Sequence, residues 1–346
     1  MKVEFNVVIV YYFTKFNQMV KSAEYFEGEM SLVSIVVPLY NEESNVKEFY
    51  TRTHSVFDNL EHECEMIFVD DGSRDQTFSM LKELAAGDSA VKVVSFSRNF
   101  GHQAAFTAGL DFTRGSAVVL IDGDLQDPPE LIADMIELWK QGADVVYAQR
   151  RKRKGENIFK RVTASLFYRI FRYFTDTQIP LDTGDFRLMD RKVVNSLLRL
   201  KENNRFMRGL VSWVGFKQVP LYYDRDERFS GETKYPFGKM LRFALNAIVS
   251  FSDKPLKIAT ILGLFSSFVG LAMILWGLYA HFFQPQTTIK GWTSVFISVL
   301  FLGGVQLFTL GIIGEYISRI YDESKDRPIY IVGETVNIES DSSLEK

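Results

Sequence analysis

The chain has 346 residues, 47% of them hydrophobic and 24% charged, with a formal net charge of −3. That balance supports a sizeable core and excludes global disorder, and the length suits one large domain or two ordinary ones. A lone cysteine, Cys64, excludes an intramolecular disulfide framework and a cysteine-based zinc site, and four scattered histidines argue against a histidine-rich one.

Residues 1–29 hold a short apolar stretch but no small-residue cleavage site, and are set aside as an N-terminal extension. From residue 30 the pattern sharpens. Residues 32–40, 65–70, 91–96, 116–122 and 143–149 are Val- and Ile-rich runs that predict strands, separated by helix-like segments near 42–59, 75–86, 101–112 and 128–140. This alternation predicts an α/β fold, a mostly parallel Rossmann-like sheet covered on both faces, in a catalytic domain over 30–235. Such sheets bind ligands beyond the carboxyl ends of their strands. Polar motifs fall there four times: PLYNEE, VDDGSRD, SRNFGHQ and DGDLQD follow the first four strands in turn.

Asp70 and Asp71 can accept from a base N–H or ribose hydroxyls, although a helix-capping turn into Thr77 explains them equally well. Arg98 and Asn99 precede a glycine-entered helix, a setting suited to a diphosphate. The spacing matches neither GxGxxG nor GxxxxGK[ST], which argues against a dehydrogenase or a P-loop NTPase. Asp122 and Asp124, at the end of a predicted strand, would repel by roughly 3 kcal/mol at about 5 Å. A hard divalent cation, Mg2+ or Mn2+, offsets this where one or two carboxylates and substrate phosphates share it. Asp127 reads instead as the N-cap of the next helix, with Glu130 at its start.

The second half is rich in aromatics. Residues 157–174 carry an apolar stripe with basic flanks, directly after the RRKRK run at 150–154. That pattern predicts an interfacial helix, an ordinary core-packed amphipathic helix being the alternative. Residues 236–254 repeat the theme as a juxtamembrane helix. Two runs then lack Asp, Glu, Lys and Arg altogether, 258–283 and 291–314. As helices of ~39 and ~36 Å they would cross a ~30 Å hydrocarbon layer with tilt. Lys and Arg cluster outside the connection between them, so the positive-inside rule places the catalytic domain and the 319–346 tail on the cytoplasmic side of a multi-pass cell-membrane protein. The transmembrane part is bounded at 255–318.

The series VVPLYNEE, VDDGSRDQT, RNFGHQAAFTAGLD, LIDGDLQDPPE and DTGDFRLMDR resembles the family 2 GT-A glycosyltransferases. More narrowly it resembles the polyprenyl-phosphate enzymes, the dolichol-phosphate mannose synthase relatives and the bacterial undecaprenyl-phosphate glucosyltransferases. The resemblance spans about residues 31–330. It implies inverting transfer of one sugar from a nucleotide diphosphate sugar to a polyprenyl phosphate, with UDP-glucose the favoured donor and GDP-mannose or a modified UDP-sugar the alternatives. It further implies that Pro38, Tyr40, Glu42 and Asp70/Asp71 hold the nucleoside. The metal-bearing motif falls on Asp122, Gly123 and Asp124, with Gln126 assisting, and Asp185 becomes the acceptor-side catalytic carboxylate. Arg225, Arg228 and Lys234, in RDERFSGETKY, become ligands of the acceptor phosphate.

A processive synthase would carry QxxRW, which is absent. A catalytically silent scaffold or flippase partner fits poorly with intact Asp122, Asp124 and Asp185. The acidic balance disfavours nucleic acid as a partner, and the apolar surfaces are compatible with self-association.

Overall fold

The computed structural model describes residues 31–151, 180, 183–203, 205–223, 254–283 and 291–338. The expected N-terminal extension, the interfacial helix, the 236–251 stretch and the acceptor-phosphate residues Arg225, Arg228 and Lys234 lie outside them.

Strands β1 (Leu32–Leu39), β2 (Glu63–Asp70), β3 (Val91–Phe96) and β4 (Ala117–Leu120) alternate with helices α1 (Val46–Phe57), α2 (Thr77–Gly87) and α3 (His102–Asp111). Helix α4 (Leu131–Lys140) leads to β5 (Val145–Arg150). Then come β6 (Thr183–Asp190), α5 (Arg191–Leu198), α6 (Met207–Trp213) and β7 (Gln218–Tyr223). The eight-stranded sheet has the order β7-β5-β6-β4-β1-β2-β3-β8, where β8 is Val332–Val336. All neighbours run parallel except β6, antiparallel to β4 and β5, and β8, antiparallel to β3. The fold class expected from the motifs is therefore the one observed.

Seven of the eight β1 residues are buried, as a strand covered on both faces requires. Helix α1 meets one face through Val46, Phe49, Thr53 and Phe57, at helical spacing. Phe49 packs edge-on against Phe68 of β2, with ring centroids 6.1 Å apart. On the other face, Val36 and Val118 pack with Phe106, Leu110, Val193, Leu197 and Leu210 from α3, α5 and α6. Burying each such side chain contributes about 1.5–3 kcal/mol.

Helices α7 (Lys254–Phe283) and α8 (Trp292–Ser324) pack on each other as a hairpin. Each contains a window long and apolar enough to cross a membrane, of which only 11% and 0% is buried within the protein. That exposure separates them from core helices of equal hydropathy. Part of the expected 319–346 tail packs on the sheet. Ile329, Tyr330 and Val332 pack on the cluster of Ile67, Val69, Val94 and Phe96, and β8 covers the edge of β3.

Two local expectations need correction. The fourth strand ends at Leu120, so Asp122 and Asp124 occupy a turn and are placed by it, not by strand alternation. Asp127 does not cap a helix: α4 starts at Leu131, and the Asp127 side chain points inward, 1% exposed. Glu130 stands directly before the helix, as expected, but its side chain accepts no capping hydrogen bond; it accepts two from the Arg52 guanidinium at 2.7 and 2.8 Å.

Candidate active site

The loops leaving β1, β2 and β3 are sewn together by backbone N–H groups and short polar side chains. Asn41, with φ 54°, donates its N–H to Ser73 Oγ at 3.0 Å and accepts from the Arg74 N–H at 2.8 Å. The Glu42 N–H donates to Thr77 Oγ1 at 2.9 Å, and the Glu42 carboxylate accepts from Asn45 Nδ2 at 2.6 Å. Pro38 is buried in β1, whereas the Tyr40 ring stands 43% exposed beside these loops.

Asp70 and Asp71 are 2% and 4% exposed, and both organise neighbouring backbone. Asp70 accepts from the Ser73 N–H and the Ser95 hydroxyl; Asp71 accepts from the Phe100 and Gly101 N–H groups. Burial pushes the Asp71 carboxyl up, against the pull of those N–H donors. Their first task is thus to shape the next loop. Gly72 permits this, since at φ 68° a Cβ would lie 2.6 Å from the Arg98 carbonyl carbon. Arg98 is exposed, its guanidinium 4.0 Å from the Phe100 ring centre.

In the DGDLQD turn, Asp122 and Asp124 are partly exposed and Gln126 is buried. Gln126 donates its N–H to Asp124 Oδ1 at 3.1 Å. Leu125 adopts φ 57° and is 3% exposed, so the core holds a backbone conformation that costs an L side chain about 1–2 kcal/mol. Gly123 is equally constrained: a Cβ there would meet Leu39 Cδ2 at 2.3 Å.

Two residues that sequence reasoning missed complete the site. His102, the first residue of α3, places Nε2 3.1 Å from Asp122 Oδ1 and 3.9 Å from Asp185 Oδ2. Burial lowers its pKa, but the Asp122 carboxylate outweighs this and the net shift is upward. Arg208 of α6 grips Asp185 with both arms, Nε to Oδ1 at 2.8 Å and Nη2 to Oδ2 at 3.0 Å. Asp185 is 3% exposed, and Arg187 lies buried beside it, donating to the Asp185 and Gly184 carbonyls. Burial would raise the Asp185 carboxyl; Arg208 and Arg187 reverse this and hold it below the usual carboxylate range. His102 was visible in RNFGHQ as one of only four histidines, but Arg208 carried no motif signal.

Among the described residues no three His, Cys, Asp or Glu side chains cluster as a metal cage. Asp122 Oδ1 is nonetheless a buried oxygen with no aligned hydrogen-bond donor. One or two carboxylates awaiting phosphate oxygens suit Mg2+ or Mn2+.

The glycosyl transferase family 2 profile matches residues 34–198, and the GtrB C-terminal hairpin profile matches 254–320. A Bacillus subtilis glycosyltransferase, YkcC, is 54% identical over 89% of this chain and 95% of its own length. The chain belongs to glycosyltransferase family 2. Within this family it is an enzyme of the GT-A type carrying a GtrB-type hairpin. A bactoprenol glucosyl transferase of Shigella phage SfV is 43% identical, over 87% of this chain and 97% of its own. A prophage bactoprenol glucosyl transferase homolog of Escherichia coli K12 is 41% identical over 87% and 98%.

Proposed function

We propose that this glycosyltransferase moves one glucose from UDP-glucose to a polyprenyl phosphate at the cytoplasmic face of the cell membrane, with inversion. The observation that carries the reading is the meeting of the Asp122–Asp124 turn with His102 and the Asp185–Arg208 pair, on a chain that continues into two membrane-length helices. The relatives named as bactoprenol glucosyl transferases support the acceptor and the sugar.

Breaking the anomeric C–O bond leaves negative charge on the nucleoside diphosphate. Asp122, Asp124 and Gln126 would hold a divalent cation that, when bound, neutralises that charge as a Lewis acid. Tyr40 and the cross-braced β1 and β2 loops receive the nucleoside, and Arg98 stands near the diphosphate. The attacking group is a phosphate oxygen, whose second pKa of about 6 leaves it mostly ionised at neutral pH. A strong base is then unnecessary, which agrees with an Asp185 already ionised and clamped by Arg208. Asp185 therefore orients the acceptor side through Arg208. Arg225, Arg228 and Lys234 are assigned to the acceptor phosphate.

The test is transfer of radiolabelled glucose from UDP-glucose to undecaprenyl phosphate by the purified full-length protein in a bilayer, with and without Mg2+ or Mn2+. A β-linked glycolipid formed only with the cation is the expected result. Transfer from GDP-mannose alone would move the assignment to a different sugar, and an α-linked product would exclude inversion.

A further inference from the structure

Asp127 is the acid of the DGDLQD turn left without the expected capping role, and its surroundings give it another. It is 1% exposed and accepts a hydrogen bond from the hydroxyl of Tyr223, 96 positions away. Tyr223, 5% exposed, in turn accepts from Arg150 Nε at 3.2 Å, and Arg150 Nη2 lies 3.8 Å from Asp127 Oδ1. The opposite carboxylate oxygen sits against Gly184, where a Cβ would be 3.4 Å away, one residue before Asp185. Burial and the Asp127 carboxylate push the Tyr223 phenol up to about 12, so its hydroxyl remains a donor.

Four chain segments meet here: the donor-side turn, the last residue of β5, the first residues of β6 and the last residue of β7. Arg150 begins the RRKRK run, and Tyr223 lies two residues before Arg225, the start of RDERFSGETKY; these are the two stretches assigned to the lipid side. The donor-side turn has anchors of its own, with Gly123 pressed on Leu39 and Leu125 in the core. The ends of β5 and β7 are already paired in the sheet, from Val145 against Gln218 to Arg150 against Tyr223, and the Arg151 N–H extends that pairing to the Tyr223 carbonyl at 2.9 Å. The contact of Tyr223 and Arg150 with Asp127 ties this pair to the donor-side turn. We infer that Asp127, Tyr223 and Arg150 are positioning residues, a latch that ties the ends of β5 and β7, where the two acceptor-side stretches begin in the sequence, to the donor-side turn.

This rests on the proposed transfer to a polyprenyl phosphate, so the experiment has two arms. In full-length protein reconstituted with undecaprenyl phosphate and UDP-glucose, Tyr223→Phe is expected to raise KM for the lipid about tenfold while KM for UDP-glucose stays within about twofold. Asp127→Asn should do likewise, and the double variant should be no worse than the poorer single one. The second arm needs no turnover: amide hydrogen exchange in Tyr223→Phe should quicken in peptides covering 123–127 and 218–223, with β1 and β2 unchanged. Equal rises in both KM values with a general loss of thermal stability would reduce the triad to a structural role and overturn the inference. Faster exchange confined to 218–223 would overturn it as well. If the unaltered protein transferred no sugar to the lipid, the functional reading would fail while the exchange arm still decided the latch.

Discussion

A carboxylate buried between two guanidiniums behaves differently from one poised to take a proton. Asp185 has a folded pKa depressed below its unfolded value, so the stability it contributes is fully present above about pH 4 and is lost only as pH falls through the folded value. Across roughly pH 5.5 to 8 it stays ionised, and kcat/KM should show no inflection from it. Asp185→Asn is therefore expected to lower kcat/KM by roughly 10- to 100-fold through misplacement of Arg208, leaving the shape of the pH profile unchanged. Disappearance of an acid limb in the variant would restore the base role. The resemblance pointed to Asp185, but its partner is 23 residues further on, in a stretch that carries no motif. Ion pairing across that distance is a property of the folded chain and leaves no local spacing to find.

At the scale of single elements, the β2 loop works because it turns tightly enough for Asp71 to reach Phe100 and Gly101. Gly72→Ala should strain the left-handed turn and press on the backbone at Arg98 and Asn99, costing about 2 kcal/mol or more and weakening nucleotide-sugar binding. Gly87→Ala, at the open end of α2 with nothing within 4 Å of its Cβ, is the control: denaturant unfolding should find it neutral or stabilised by up to about 1 kcal/mol. Equal destabilisation by both changes would contradict this account. The first five strands were legible because strands buried on both faces are written as Val- and Ile-rich runs, whereas the parallel β7, QVPLYY, is largely half-exposed and was not read. β6 was not, because TGDFRLMD mixes charges with apolar residues, and its antiparallel insertion between β4 and β5 depends on long-range pairing. Likewise Asp127 resembled a cap by position, and only the approach of Tyr223 shows why it faces inward.

For the molecule as a whole, the segment after α8 decides how the hairpin and the sheet are joined. Tyr330 stacks on Phe96 with centroids 5.2 Å apart and donates to Asp111 at 2.6 Å, while Asn337 Nδ2 donates to the carbonyls of Ala85 and Val91. Truncation after residue 325 would strip this cover from β3 and bare an edge of Val93, Val94 and Phe96. The truncated protein is expected to melt several degrees lower and to associate on size-exclusion chromatography, even with the hairpin intact. An unchanged melting temperature would show that β8 adds nothing to the sheet. The strand was not read in the 319–346 tail because VGETV is short and polar, as edge strands often are.

β8 also imposes an order on synthesis. Among the described residues, the ribosome makes seven strands, then both apolar helices, and only afterwards the residues that cover the β3 edge. Until then the nascent sheet carries an open edge, and it gains its last strand only after the complete hairpin has been translated. Completion of the sheet therefore follows, and depends on, translation of the two apolar helices.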